Sequence, residues 1–195
     1  MENNFKEKFK SELWLLYREA YFAKSQYILF YEIYQLLLRN TSYRYFFSTI
    51  FDSLEFSILL KLTKIYDEDP DKQSITLLHI INKIQSNKVL NKNDYLIKKY
   101  LSEVIEELKN NEEEIAKIKI CRDKIVSHMD KKYPNGLLSL KPDETINFDL
   151  LKKYSYYAYD TLKKIYELVY NEKLSDSNQF KILELEYKDI INKII

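Results

Sequence analysis

Residues 4–38 read NFKEKFKSELWLLYREAYFAKSQYILFYEIYQLLL, and their spacing decides the fold. Phe5, Phe9, Leu13, Leu16, Ala20, Ala23, Tyr27 and Tyr31 step by three or four, and Tyr34 and Leu38 continue the series. That period matches the α-helical turn, so one long helix is predicted over 4–38. The 195 residues contain one glycine and three prolines, so few positions break a helix. With 18 tyrosines and 10 phenylalanines, the predicted core is rich in rings.

The same pattern continues outward. Asn40-Thr41-Ser42 is a polar break with Thr41 or Ser42 as N-cap. A helix is predicted over 43–66, with Phe47, Phe51, Leu54, Ile58, Leu62 and Ile65 on one stripe. Phe46, Ile50, Leu59 and Leu60 widen that face, which predicts burial on most sides. Residues 67–71, Asp-Glu-Asp-Pro-Asp, read as a solvated turn; carboxylates suit hard cations, but calcium-loop spacing is absent. A short helix over 74–85 follows, capped by Ser74, with Leu77, Leu78, Ile81 and Ile84 inward and His79 on its polar side.

After a polar connector, helices are predicted over 95–110 and 111–130, with a weak joint at Asn110-Asn111. Ile97, Leu101, Val104 and Leu108 line the first; Ile115, Ile118, Cys121, Ile125 and Met129 line the second. Glu112, Glu113 and Glu114 favour a helix start there. Tyr133-Pro-Asn-Gly136 is a turn, an irregular stretch with Pro142 follows, and helices over 148–170 and 177–194 complete the chain. The expectation is an all-α bundle of five to seven helices in a single domain over 1–195, without internal repeats.

Composition excludes several classes. The 46% hydrophobic and 31% charged fractions argue against disorder, and a net charge of +1 argues against general DNA binding. Cys121 is alone, so neither an intramolecular disulfide nor a zinc spacing arises, and a reducing cytoplasm fits. The charged N-terminus lacks a signal-peptide core. Apolar runs stop well short of the ~20 residues of a membrane span. A cytoplasmic protein without membrane contact, metal or cofactor is expected.

Lys119-Ile-Cys-Arg-Asp-Lys-Ile-Val-Ser-His-Met-Asp130 carries the candidate chemistry. The only arginines are Arg18, Arg39, Arg44 and Arg122, and the only histidines are His79 and His128, so one of each falls in this short segment. The guanidinium is a permanent, forked phosphate donor, and imidazole moves protons near neutral pH. Histidine would take the 2′-hydroxyl proton of RNA while arginine holds the charge that builds on the phosphoryl oxygens. Six residues of helix set the two apart by roughly 120° and about 9 Å. They converge if the helix loosens before Asp130, or meet copies of themselves across a two-fold axis, which fits the spacing better. Lys117, Lys119, Arg122, Lys124, Lys131 and Lys132 stand against Asp123 and Asp130, a local excess of cations that suits a phosphate backbone. The competing reading pairs Arg122 with Asp123, Asp130 or a neighbouring glutamate and leaves His128 as a helix C-terminal cation.

Arg122-Asp-Lys-Ile-Val-Ser-His128 resembles the R-x(4–6)-H signature of the HEPN superfamily, with Asp123 at the polar position after the arginine. Leu59-Leu-Lys-Leu-Thr-Lys-Ile-Tyr-Asp67 followed by Ser74-Ile-Thr-Leu-Leu resembles the abortive-infection U branch, where a helix ends in aspartate before an "LSL"-like helix start. Both blocks stand in the family's order, over about 43–170. The resemblance implies an all-α homodimer cutting RNA without metal, with Arg122 and His128 catalytic, Asp123 supporting, and Lys119, Lys124, Lys131 and Lys132 contacting RNA. It implies a toxin or phage-defence effector, with an antitoxin protein as partner. The alternative it leaves open is an inert HEPN-like dimer serving as an RNA- or protein-binding module. Ser127 replaces the usual small alanine, and Asp130 stands where one branch has a tyrosine modified by its antitoxin, so that mode of neutralisation is not expected. Tyr133 and the tyrosines of 154–159 offer other hydroxyls, with core packing as their expected use.

Overall fold

The structure, a computed structural model, describes residues 2–39, 44–67, 75–86, 95–129, 147–174 and 179–194, without the side chains of 2–4, 39, 44, 124–129 and 194. These residues form seven helices and no strand: α1 (Glu2–Arg39), α2 (Arg44–Tyr66), α3 (Leu77–Gln85), α4 (Tyr95–Asn110), α5 (Glu112–Met129), α6 (Phe148–Tyr170) and α7 (Gln179–Ile194). The fold is the expected all-α bundle. The predicted caps before α2, Ser74, and the turn at 133–136 lie outside the described residues.

The first helix is the axis. At 38 residues it is about 57 Å long, and it packs along α2, α6 and α7 while touching α3. Phe9, Leu13, Leu16, Ala20, Ala23 and Tyr27 are buried on the predicted stripe. Beyond Tyr27 the stripe turns. Phe30, Ile33 and Leu36 go inside, while Tyr31 and Leu38 (64% exposed) face out, contrary to the sequence pattern. Steps of three rotate the buried face by about 60° each, and this rotation follows α2. Ile33 and Leu36 close with Phe47 into a second small core.

On α2, Ile58, Leu59, Leu62, Ile65 and Tyr66 are buried. The predicted burial on most sides fails at Phe46, 60% exposed, and at Leu60, 42% exposed, and Tyr45 beside Phe46 also faces out. At the C-terminal end of α2, α5 and α3 join α1 and α6 around it. The short α3 begins at Leu77 rather than at 74, because the Thr76 side chain is the N-cap, accepting from the His79 N–H at 3.1 Å. Ile80, not Leu78, completes its buried set with Leu77, Ile81 and Ile84.

The predicted joint between α4 and α5 is present at Asn111, whose side chain donates back to the Glu107 carbonyl at 2.7 Å and ends α4. Phe148–Tyr170 matches the predicted helix, started by Asn147, whose side chain accepts from the Asp149 N–H at 2.8 Å. Tyr154 and Tyr159 are buried, so the tyrosine cluster of α6 serves the core as expected. One continuous cluster of buried residues runs from Phe9 on α1 to Phe180 on α7.

Rings and one lysine tie the outer helices on. Phe30 stacks on Phe51 at 4.3 Å between centroids and meets Phe148 at 5.1 Å, joining α1, α2 and α6. The Lys24 ammonium of α1 lies 4.1 Å from the Tyr159 ring, 4.4 Å from Tyr156 and 4.7 Å from Phe180. Those rings belong to α6 and α7, so one cation holds three helices together. Burial pulls the Lys24 amine below its usual value, and Asp160 at 3.4 Å opposes that pull.

Candidate functional site

Lys119, Arg122, Asp123, Lys124 and His128 sit on α5, which packs against α2. Ile118 and Cys121 bury its inner face, so Lys119 and Arg122 flank the seam. Two anchors fix the helix. Near its start, Glu114 accepts from Lys153 at 2.7 Å and from the Tyr154 hydroxyl at 2.9 Å, both on α6. Those hydrogen bonds, Lys153 first, hold the Glu114 carboxyl below its usual range. The Tyr66 hydroxyl then donates to the Tyr154 carbonyl at 3.1 Å, which brings α2 into the same network.

The second anchor is Asp67, one residue past the end of α2. It is buried at 6% exposure and accepts from the Lys119 ammonium at 2.8 Å. The solvated turn expected over 67–71 is therefore corrected at its first residue; residues 68–71 lie outside the described residues. A carboxylate at a helix C-terminus faces the like-signed end of the helix dipole and is costly to bury. The ammonium of Lys119 offsets both costs. Lys119, expected as an RNA contact, is thus engaged within the fold.

Arg122 follows Lys119 by about one turn. Its side chain is 21% exposed, and Nε donates to Asp123 Oδ1 at 2.8 Å, with Nη2 on the same oxygen. The pairing with Asp123 is one that the sequence allowed. Two of the five guanidinium N–H donors are used, and three remain without a partner among the described residues. The backbone is α-helical through His128 to Met129. Loosening before Asp130 therefore does not occur within α5, and Arg122 and His128 keep their roughly 120° separation. The side chains of Lys124 and His128 lie outside the described residues, as do Asp130, Lys131 and Lys132.

Two features escaped the sequence reading. Glu55, on α2, makes no hydrogen bond or ion pair with a described residue, and burial, helped by Asp52, pushes its carboxyl up to about 7. That places a second proton-transfer group near neutrality on the helix against which α5 packs. Its signal was an acid within the apolar run Phe51-Asp-Ser-Leu-Glu-Phe56. A cavity of about 270 Å³ also opens beside Asp67, lined by Ile65, Leu77, Leu78, Ile105, Leu108 and Ile115 among others. His79 stands 3.8 Å from Glu12, which also pairs with Lys83, a surface role that matches its expected polar side. Among the described residues no three His, Cys, Asp or Glu side chains converge as a metal ion requires. Among them, too, no helix is long and apolar enough to cross a membrane.

A ring-rich helical bundle with an arginine-bearing α5 pinned to an aspartate-ended α2 is the architecture expected of an abortive-infection HEPN protein. Residues 6–194 match the family model of AbiU2 within the HEPN superfamily, and the chain belongs to that family. No curated protein and no solved structure matches it.

Proposed function

We propose that the protein is a metal-independent endoribonuclease of HEPN type, acting as a single-domain homodimer and as a toxin or phage-defence effector. The observation that carries this reading is Arg122: a mostly enclosed guanidinium on an anchored helix, with three donors unpaired among the described residues. Family membership supports the same reading. The unbroken helix through His128 favours pairing across a two-fold axis over a pocket within one chain.

The chemistry balances with those groups alone. His128 takes the proton from the 2′-hydroxyl, whose oxygen attacks the adjacent phosphorus. The bond from phosphorus to the 5′-oxygen breaks, and that oxygen is protonated from solvent. Arg122 holds the phosphoryl oxygens, where negative charge builds in the transition state. The products carry a 2′,3′-cyclic phosphate and a 5′-hydroxyl. His128→Ala is expected to lose about 10²–10⁴ in rate, and Arg122→Lys to recover little, because an ammonium lacks the fork.

A second reading, an inert dimer that binds RNA or protein, is favoured by the Arg122–Asp123 pair, which occupies part of that fork. Expression separates the two. Growth arrest relieved by Arg122→Ala or His128→Ala supports the nuclease, whereas equally harmless wild type and variants support the module. With purified protein, cutting should persist in chelator. It should stop when a single 2′-deoxy nucleotide replaces the residue 5′ to the scissile phosphate. Cutting of that substrate at the same place refutes the mechanism.

A further inference from the structure

Away from α5, a groove of about 390 Å³ opens along α1 beside Leu174 and Gln179, lined also by Trp14, Tyr17, Arg18, Tyr21 and Phe22. Its volume suits one drug-sized or nucleotide-sized group. Trp14, Arg18 and Phe22 follow one another at intervals of four residues, about 6 Å of rise each, so they line one face with the cation in the middle. Trp14 and Phe22 are each 45% exposed, so each has a ring face open to a ligand.

The groove's polar groups are unspent. Arg18 is exposed and has no ion-pair partner among the described residues, whereas neighbouring Glu12 and Glu19 are taken by Lys83 and Lys64. Tyr17 is buried, and its hydroxyl has no hydrogen-bond partner among the described residues. Gln179 uses its amide oxygen to accept from the Tyr21 hydroxyl at 3.3 Å, which leaves its amide donors for a ligand. Flat rings offer a face to any base, one guanidinium offers a fork to a phosphate, and the Gln179 amide can meet a base edge.

We propose that this groove binds one nucleotide of single-stranded RNA, its base stacked on Trp14 and its phosphate held by Arg18. The site rests on the reading that the substrate is RNA, and it deepens that reading by placing a substrate-holding surface away from Arg122. It explains why an exposed arginine sits between two exposed rings in a chain that otherwise prefers lysine.

Trp14 is the only tryptophan, so its fluorescence reports the groove directly. The test titrates the Arg122→Ala protein, which the proposed mechanism makes unable to cut, with six-residue oligouridylate and oligoadenylate. Inorganic polyphosphate, an RNA duplex and an apolar dye serve as comparisons. The single strands should quench Trp14 saturably, oligoadenylate more strongly, while polyphosphate and duplex should not. Arg18→Glu, an exposed change that leaves the core intact, should weaken single-strand binding at least tenfold. Trp14→Ala, followed by electrophoretic shift, should weaken it about 5- to 150-fold, the worth of one stacked base. Equal quenching by polyphosphate, or quenching by the dye but not by RNA, overturns the proposal, the latter marking a protein-docking face. RNA cutting by the wild type without quenching also overturns it and leaves the nuclease reading standing. Quenching without any cutting by the wild type keeps the groove and removes the nuclease.

Discussion

Glu55→Gln isolates one acid whose burial works against the fold at neutral pH. The unfolded carboxyl titrates near 4.5 and the folded one near 7. The folded state therefore binds the proton more tightly, so the acid's contribution is fully present below pH 4.5 and is lost as pH rises through 7. At about 1.4 kcal/mol per pH unit, ionising the buried group takes away about 3 kcal/mol by pH 8. Glutamine keeps the shape and cannot ionise. Urea unfolding followed by Trp14 fluorescence at pH 5, 6, 7 and 8 should show a small difference at pH 5, with the variant ahead by about 3 kcal/mol at pH 8. Asp52 lies close and contributes by repulsion, so Asp52→Asn should recover only a minor share of that gain. A pH-independent difference, or a variant less stable throughout, refutes the reasoning.

Lys24→Met keeps the stem and removes the cation caged by Tyr156, Tyr159 and Phe180; it should cost about 1–2 kcal/mol in urea unfolding and speed hydrogen exchange in α7 first. Asp67→Asn weakens the charged bond to Lys119 and should cost about 1–3 kcal/mol, with RNA cutting reduced although Arg122 and His128 are intact. Light scattering at micromolar concentration should give a dimer, and a monomer that still cuts RNA contradicts the two-fold arrangement.

Helix positions were legible because apolar spacing repeats wherever a helix has one buried face. Phe148–Tyr170 is such a case, a helix with a clear inner stripe and an asparagine before it. Burial was less legible where a helix has neighbours for only part of its length. Phe46 and Leu60 look like core in sequence and stand outside it, since nothing local says which sides of α2 its neighbours leave uncovered. Thr76 rather than Ser74 caps α3, because hydroxyl residues two apart read alike until the backbone picks one. For the candidate site, residue type and order singled out Arg122 as a candidate, and its pairing with Asp123 was among the stated alternatives. The burial of Asp67 was not legible, because its partner Lys119 lies 52 positions away in the chain.

That distant pair gives a physical reason for two sequence blocks to occur together. The aspartate ending α2 and the arginine of α5 resemble a family pattern as separate words, and their order alone says nothing of contact. In the structure Asp67 accepts from Lys119, and Arg122 stands one turn beyond that bond on the same rigid helix. A buried carboxylate at a helix end tolerates few positions for its counter-cation, so the pair fixes the register of α5 along α2 more sharply than the seam of Ile118 and Cys121, where a shifted apolar contact costs little. Register decides where Arg122 points, and a misplacement of about 1 Å is enough to cost about 10²-fold in a positioned reaction. Asp67 is on this view a positioning residue: it never meets the substrate, yet its loss should depress turnover more than substrate affinity, and a shift confined to affinity would count against it.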